Sequence, residues 1–376
     1  GVDAALRCGL PGVGRAMAGM VRLQAEHRGL RLLPQDRRDG ERRRLHHVDA
    51  RRRALIALLL ALVLFLSRAA LALEVSGNRF VENGQPIILR GIAMGDVADL
   101  PAADPYPEIA KDWHANVVRL SIHPGTWRDK KKAALEILQR HVRQARAAGL
   151  YVIIDYHVIG FPDGYALEYF DVTKPDTKTD YYDSSFTLAM DFWMTVAAEF
   201  QDTAILYELW NEPTSGSEEE EGGDLSYWKK YRPYWRVLTD AIRASGNRNI
   251  VLVGPPLWAF NLRGLKDSLL PDARTAYTWH VYGEIPPEEW ADALDGLEAV
   301  KPVIVTEWGF EPGAPQHWAG TAEEFGAPFT AFMDERGLSS TAWCWNPNYG
   351  PNLRRQSSAL TDWGAFAKAY LAKHAQ

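Results

Sequence analysis

Cysteine is nearly absent from this 376-residue chain: there are two, Cys8 and Cys344. They lie in segments that an export step would separate, so no disulfide is expected, and no Cys/His spacing suggests a zinc site. A long hydrophobic run is missing too. The apolar stretch Ala54 to Leu66 has 13 residues, where a membrane span needs about 20. The turn after the first strand-like run reads Gly91-Ile92-Ala93-Met94-Gly95-Asp96 and lacks the G-x-G-x-x-G phosphate loop. Positive charge is in deficit in the body of the chain. Thirteen Arg against six acids leave residues 1–53 at +7, and Arg68 adds one more. Residues 73–376 therefore carry −14 of the overall −6. Such an acidic body argues against nucleic acid as a partner and favours a neutral or cationic ligand. No internal repeat and no linker composition interrupt it.

What is present is a large core. Hydrophobic residues make up 47% and charged residues 24% of the sequence, which excludes global disorder. The 14 Trp exceed what packing a chain of this size requires and suggest exposed aromatic surfaces. Arg51-Arg52-Arg53, the apolar stretch and the ending Ala70-Leu71-Ala72 have the layout of a secretory signal peptide over 51–72. The alternative is an uncleaved membrane anchor. An exported protein, periplasmic or secreted, is expected. Residues 1–50 are Arg-rich, without Lys and without periodicity, and read as an upstream extension outside the fold, expected to be disordered.

From residue 73 a short N-terminal β-hairpin is expected around the turn Asn83-Gly84. Eight near-continuous apolar runs follow: Ile87–Ile92, Asn116–Ser121, Tyr151–Tyr156, Ala204–Leu209, Asn249–Gly254, Thr275–Val281, Val303–Thr306 and Ser340–Trp345. Strands buried on both faces have this composition. Amphipathic stretches separate them, at Lys130–Ala148, Phe186–Phe200, Tyr227–Ala244, Pro287–Val300, Ala322–Arg336 and Trp363–Lys373. Eight strands alternating with helices predict an α/β fold of the (β/α)8 TIM-barrel type, one domain over 73–376, with an open doubly wound sheet as the alternative.

Barrel enzymes place their chemistry at the C-terminal strand ends. Here those ends carry Arg119, Asp155-Tyr156-His157, Trp210-Asn211-Glu212-Pro213, His280-Val281-Tyr282, Thr306-Glu307-Trp308-Gly309 and Trp343-Cys344-Trp345-Asn346. Glu212 and Glu307 close strands four and seven, opposite each other in a barrel of eight. Two carboxyls converging from such positions suit glycosidic cleavage, one holding a proton and the other ionised. Arg119 is the candidate cation for keeping the second one charged. Taken singly, each residue also has a plain structural reading: a helix cap for Glu212 or Glu307, a buried ion pair for Arg119, a hydrogen-bonded core ring for His157 or His280.

Trp210-Asn211-Glu212-Pro213 and Thr306-Glu307-Trp308-Gly309 resemble the two active-site signatures of glycoside hydrolase family 5, a retaining family in the four/seven barrel superfamily that holds cellulases and mannanases. The likeness runs from about Glu74 to Tyr370. It implies Glu212 as acid/base and Glu307 as nucleophile. It also implies Asn211 on the sugar 2-hydroxyl, Arg119 supporting the nucleophile and His157 binding the sugar at the cleavage point. Tyr282 would contact the nucleophile, His280 would lie near the acid/base, and Trp345 would floor the sugar. Tyr156 stands where many members carry a Trp, and His114 replaces a small residue.

The expected activity is retaining hydrolysis of a β-linked glucan, cellulase-like, with β-mannan, β-1,3-glucan or transglycosylation as alternatives within the family. A non-catalytic carbohydrate-binding barrel is the alternative outside it. A neutral polysaccharide is the expected partner, and Trp127, Trp258, Trp308, Trp318 and Tyr349 are candidate sugar platforms. No metal or organic cofactor is expected, and the protein is expected to be a monomer. The run Glu218 to Asp224 reads as a solvated loop tip.

Overall fold

The computed structural model describes residues 73–170, 178–217, 226–314 and 317–375. The expected extension, the signal segment and the acidic run Glu218 to Asp224 lie outside the described residues. Among the described residues no helix is long and apolar enough to cross a membrane.

Eight parallel strands close into a barrel: β1 (Arg90–Asp96), β2 (Val117–Ile122), β3 (Tyr151–Tyr156), β4 (Ile205–Glu208), β5 (Ile250–Val253), β6 (Thr275–Tyr282), β7 (Val303–Gly309) and β8 (Ser339–Ala342). Each pairs with its sequence neighbour, and β8 closes on β1 through Ser340, Thr341 and Ala342 against Arg90, Gly91 and Ile92. On the other side of β1, a side chain on Gly91 would collide with the Val117 carbonyl of β2. The fold is the predicted TIM barrel.

Alternation along the strands sorts the core into two parts. Val118, Leu120, Val152, Ile154, Tyr207, Val251, Val253, Tyr277 and Val305 pack outward against the helices. Helix α4 (Ser226–Ala244; α1 to α3 are Tyr106–Lys111, Pro124–Ala147 and Phe186–Glu199) buries Tyr227, Trp228, Tyr231, Trp235, Leu238 and Ile242, a stripe at helical spacing. Val117, Ile153, Leu206, Leu252, Ala276 and Ile304 form a second cluster inside the barrel. Leu73 and Phe80 close it from below. They come from the N-terminal segment, which is a three-stranded antiparallel sheet (Leu73–Ser76, Arg79–Glu82, Gln85–Ile87) rather than a single hairpin. Asn83 and Gly84, both at positive φ (50° and 77°), make its second turn, as that dipeptide predicts.

Several boundaries differ from the sequence expectation. The apolar run starting at Ile87 is divided between the end of the small sheet and β1, which begins at Arg90 and continues to Asp96. α2 starts at Pro124, where proline is preorganised for a first turn, and bends at Lys130. The expected helix Pro287–Val300 stops at Leu294, because Asp295 and Gly296 turn left-handed (φ 50° and 69°).

Candidate active site

The inward row of each strand changes character two residues above the apolar cluster. Val117 is followed by Arg119, Ile153 by Asp155, Leu206 by Glu208 and Ile304 by Thr306, all completely buried. Two residues raise the chain about 6.6 Å, so four polar side chains meet at one level. Arg119 is the hub. It grips Glu208 side-on, Nε to Oε2 at 2.6 Å and Nη2 to Oε1 at 3.1 Å. Its Nη2 also reaches the Asn211 Oδ1 at 2.7 Å and Asp155 at 3.1 Å. Its Nη1 donates to Glu307 Oε1 at 2.8 Å.

Glu212 lies beyond β4. The chain there hydrogen-bonds back to the strand-three loop, Asn211 N to Tyr156 O and Glu212 N to Val158 O, and Trp210 Nε1 donates to Gly160 O. These bonds aim Asn211 and Glu212 at the axis. From the other side, β6 and β7 pair with a bulge: Trp279 lies beside Val305, but His280 lies beside Glu307, leaving Thr306 as the extra residue. His280 Nδ1 then meets Glu212 Oε1 at 2.9 Å and lies 3.7 Å from Glu307 Oε2. The Tyr282 hydroxyl donates to Glu307 Oε2 at 2.5 Å. Glu212, His280 and Glu307 each place one polar atom within 4.8 Å of the other two.

Burial raises the pKa of Glu212 above the ordinary glutamate value, opposed by the His280 hydrogen bond and reinforced by the charge of Glu307. Burial, rather than Glu307, is the main cause. His280 shows the reverse balance: burial disfavours its charge, but Glu307, Glu208 and Glu212 outweigh that and raise it to about 10. Burial also disfavours the charge on Glu208, yet Arg119 and His280 hold it at about 2. Burial pushes His157 well below its ordinary value, so it is neutral. Its Nδ1 then donates to Asp155 Oδ2 at 2.7 Å. Among the described residues the trio Glu212, His280 and Glu307 is the one group close enough to hold a metal, but a protonated imidazole offers a cation no lone pair.

The structure brings together Arg119, His157, Asn211, Glu212, His280, Tyr282 and Glu307. It does not bring in Trp345. β8 ends at Ala342, so strand alternation does not extend to that residue. Trp345 packs edge-on against Trp113 and under the Arg354 guanidinium, behind the barrel wall. Trp343 takes the inner place, stacked on His157 at 5.3 Å with its planes 8° apart and lying under Arg119. Trp127 and Trp308 are not platforms. Trp127 is buried against Phe192 and donates to Asp191, and Trp308 is buried among Trp363, Phe329 and Tyr370. Trp258 and Trp318 are exposed by 39% and 37%. Tyr349 bonds Asp99 and Tyr181 near Trp343. The other twelve tryptophans are buried, so the aromatic excess serves packing.

Sequence reasoning missed Glu208, Thr306 and the buried pair Asp96–His123, whose Oδ2 and Nδ1 are 2.6 Å apart. Period two from Leu206 and Ile304 would have found the first two.

Two glutamates from the ends of strands four and seven, bridged by His280, with Arg119 donating to Glu307, are the arrangement the signatures imply. The family model described as Cellulase (glycosyl hydrolase family 5) matches residues 80–349. The chain belongs to glycosyl hydrolase family 5. This family 5 chain is 28% identical to Endoglucanase C of Evansella cellulosilytica over 288 residues, 70% of this chain and 34% of that protein. It is 26% identical to cellulase CelDZ1 of Thermoanaerobacterium sp, covering 63% and 61%. The chain thus spans about a third to three fifths of the length of these relatives. Among solved structures, the β-glucanase SdGluc5_26A from Saccharophagus degradans superposes with a TM-score of 0.72 at 26% identity, covering 81% of this family 5 chain and 94% of that one. The same enzyme has been solved with cellotetraose, at TM-score 0.71.

Proposed function

We propose that this protein hydrolyses β-linked glucan with retention of anomeric configuration. Glu307 attacks the anomeric carbon while Glu212 gives its proton to the departing oxygen, leaving a glycosyl ester on Glu307. Glu212 then takes a proton from water, which attacks the same carbon and releases Glu307. The observation that carries this reading is the approach of the two carboxyls, an oxygen of each within 4.8 Å. Retention by double displacement fits carboxyls about 5–5.5 Å apart, whereas inversion needs about 6.5–9.5 Å. The different surroundings support the division of labour. Glu307 accepts from Arg119 and Tyr282, which suits an anion, whereas the raised pKa of Glu212 suits a proton donor.

Asn211 and His157 would bind the sugar at the cleavage point, with Trp343 beneath it in the place first expected for Trp345. β-Glucan is preferred because the relatives are named endoglucanases and cellulases and a β-glucanase with a similar fold has been solved with cellotetraose. Export belongs to the same reading, since a polymer is met outside the cell. Recovery of secreted protein beginning at Leu73 would support it, an exported product retaining Arg51 to Ala72 would favour the membrane anchor, and a product confined to the cytoplasm would contradict it.

The test is digestion of carboxymethylcellulose, barley β-glucan, laminarin, mannan and xylan by wild type and Glu307→Gln, with NMR of the first anomer formed. β-Anomer from glucans by wild type alone is expected. Activity confined to mannan would move the substrate, α-anomer would refute retention, and equal activity of the variant would remove Glu307 from its role. No release from any polymer, and none to acceptor sugars, would favour a binding barrel.

A further inference from the structure

The two glutamates are joined by more than His280. From Glu212, the path runs to His280 Nδ1 at 2.9 Å, and from His280 Nε2 to the Thr306 hydroxyl at 3.0 Å. The Thr306 hydroxyl donates to Glu208 Oε1 at 2.9 Å. Glu208 is gripped by Arg119, and Arg119 donates to Glu307. Every side chain between the two ends is buried. The donor directions are fixed by the ends. Arg119 has only protons to give, so Glu208 and Glu307 accept. The hydroxyl of Thr306 gives its one proton to Glu208 and must accept from His280 Nε2–H. Once Glu212 has given up its proton it too can only accept, so in that state His280 donates from both nitrogens, which only the imidazolium does. The bulge makes this possible, since Thr306 is the extra residue of β7 and turns inward beside Glu307.

We propose that Glu208 and Thr306 are positioning residues for the second half of the reaction: they hold His280 charged while Glu307 is esterified, so that Glu212 remains ionised to receive the proton of water. The inference rests on the double-displacement reading. In the free enzyme three carboxyl groups face His280: Glu307 from β7 and Glu208 from β4, both ionised, and Glu212, which holds the proton, from the loop after β4. Arg119 and Asp155 lie behind Glu208, and Tyr282 caps Glu307. When the bond from Glu307 to the anomeric carbon forms, Glu307 becomes a neutral ester. Glu212 has by then passed its proton to the leaving oxygen. Of the two remaining anions, Glu212 is the one that must accept the next proton, and a proton shared from a neutralising His280 would spoil it for that task. Glu208 takes no part in bond making, and Arg119 keeps it ionised throughout. Its link through Thr306 is therefore the one anchor for the imidazolium that does not change during the cycle. When water attacks, its proton goes to Glu212, the ester bond breaks with its electrons returning to Glu307, and the first charge distribution is restored.

Glu208→Gln would strip Arg119 of its main partner and endanger folding, so Thr306 is the informative position. Thr306→Val keeps the shape and removes the relay; Thr306→Ser keeps the relay. With 2,4-dinitrophenyl β-cellobioside the leaving group needs no proton, and kcat reports ester hydrolysis. Thr306→Val is expected to lower kcat about tenfold with kcat/KM within about twofold, so that KM falls. Its kcat should also decline at lower pH on the alkaline side, and Thr306→Ser should restore all three. In enzyme trapped with a 2-deoxy-2-fluoro cellobioside, nitrogen-15 NMR at pH 7 should show His280 as imidazolium in wild type and neutral in Thr306→Val. Wild-type kcat in Thr306→Val, an equal fall of kcat and kcat/KM, or an imidazolium in the trapped variant would each overturn the inference. No turnover by wild type of either the aryl β-cellobioside or the matching aryl β-mannobioside would overturn the glycosidase reading, and this inference with it.

Discussion

The lower and upper halves of the barrel interior are built by the same strands, one inward position apart. Below, Val117, Ile153, Leu206 and Ile304 meet Leu73 and Phe80 in a wholly apolar plug. Above, Arg119, Asp155, Glu208 and Thr306 occupy equally buried places. The lower half is held by non-directional burial, worth about 25 cal/mol per Å², and asks only for volume. The upper half must repay a large desolvation cost with specific partners, and each carboxylate found there touches Arg119 or His280. A barrel can carry such a charged layer because an inert one beneath it supplies the cohesion.

That contrast can be broken most severely at its hub. Arg119→Leu leaves Glu208, Asp155 and Glu307 buried without their cation, and is expected to cost about 3–5 kcal/mol of stability and essentially all activity, read by urea unfolding and cellobioside turnover. A variant as stable as wild type would show that the layer does not depend on this guanidinium. Leu206→Ala, one inward position below Glu208, should cost about 2–5 kcal/mol with kcat and KM preserved in the folded fraction. A change in its pH profile would mean that the two halves are coupled. Trp343→Ala should raise KM and lower kcat by about tenfold or more, while Trp345→Ala should act on stability alone; the reverse pattern would restore Trp345 to the site.

Titration sharpens the comparison without any substitution. The folded pKa of His280, about 10 against an ordinary 6.5, lies above its unfolded value. Its contribution to stability is therefore complete below pH 6.5 and is lost as pH rises toward 10. Chemical denaturation across that range should show a decline that shrinks in Thr306→Val, and a flat profile would contradict the charged state of His280. For activity, Glu212 must be protonated in the free enzyme, so kcat/KM should fall on the alkaline side with a midpoint above that of an ordinary glutamate. The smallest effect is expected at the rim, where Trp258→Ala should raise KM by about fivefold or less.

The sequence made the fold legible because both-faces-buried strands and amphipathic helices leave strong periodic signals, and the two glutamates legible because each ends such a strand beside a recognisable signature. The strand limits were less clear where apolar residues ran on across a turn, as at Ile87 to Leu89. Glu208 was hidden in plain alternation: it sits two residues above Leu206, but an acid inside a hydrophobic run looks like a strand end until its partner is known. Thr306 was legible as an inward position by the same alternation from Ile304, but its place between His280 and Glu208 was not, because the bulge that sets His280 beside Glu307 is a property of two strands together. The choice between Trp343 and Trp345 depended on where β8 stops pairing, which composition does not record. Trp127 and Trp308 were misplaced because a strand or helix next to a rim can bury its indole as readily as offer it.

The unequal exposure of the tryptophans gives the molecule two optical populations. Twelve indoles lie inside, and apart from Trp343 at the floor of the cleft they report on unfolding, whereas Trp258 and Trp318 stand in solvent. A small neutral quencher such as acrylamide would reach that outer pair first, and an oligosaccharide lying along the rim would shield it. Occupancy of the cleft could thus be followed by light in the native protein, without a label and without turnover.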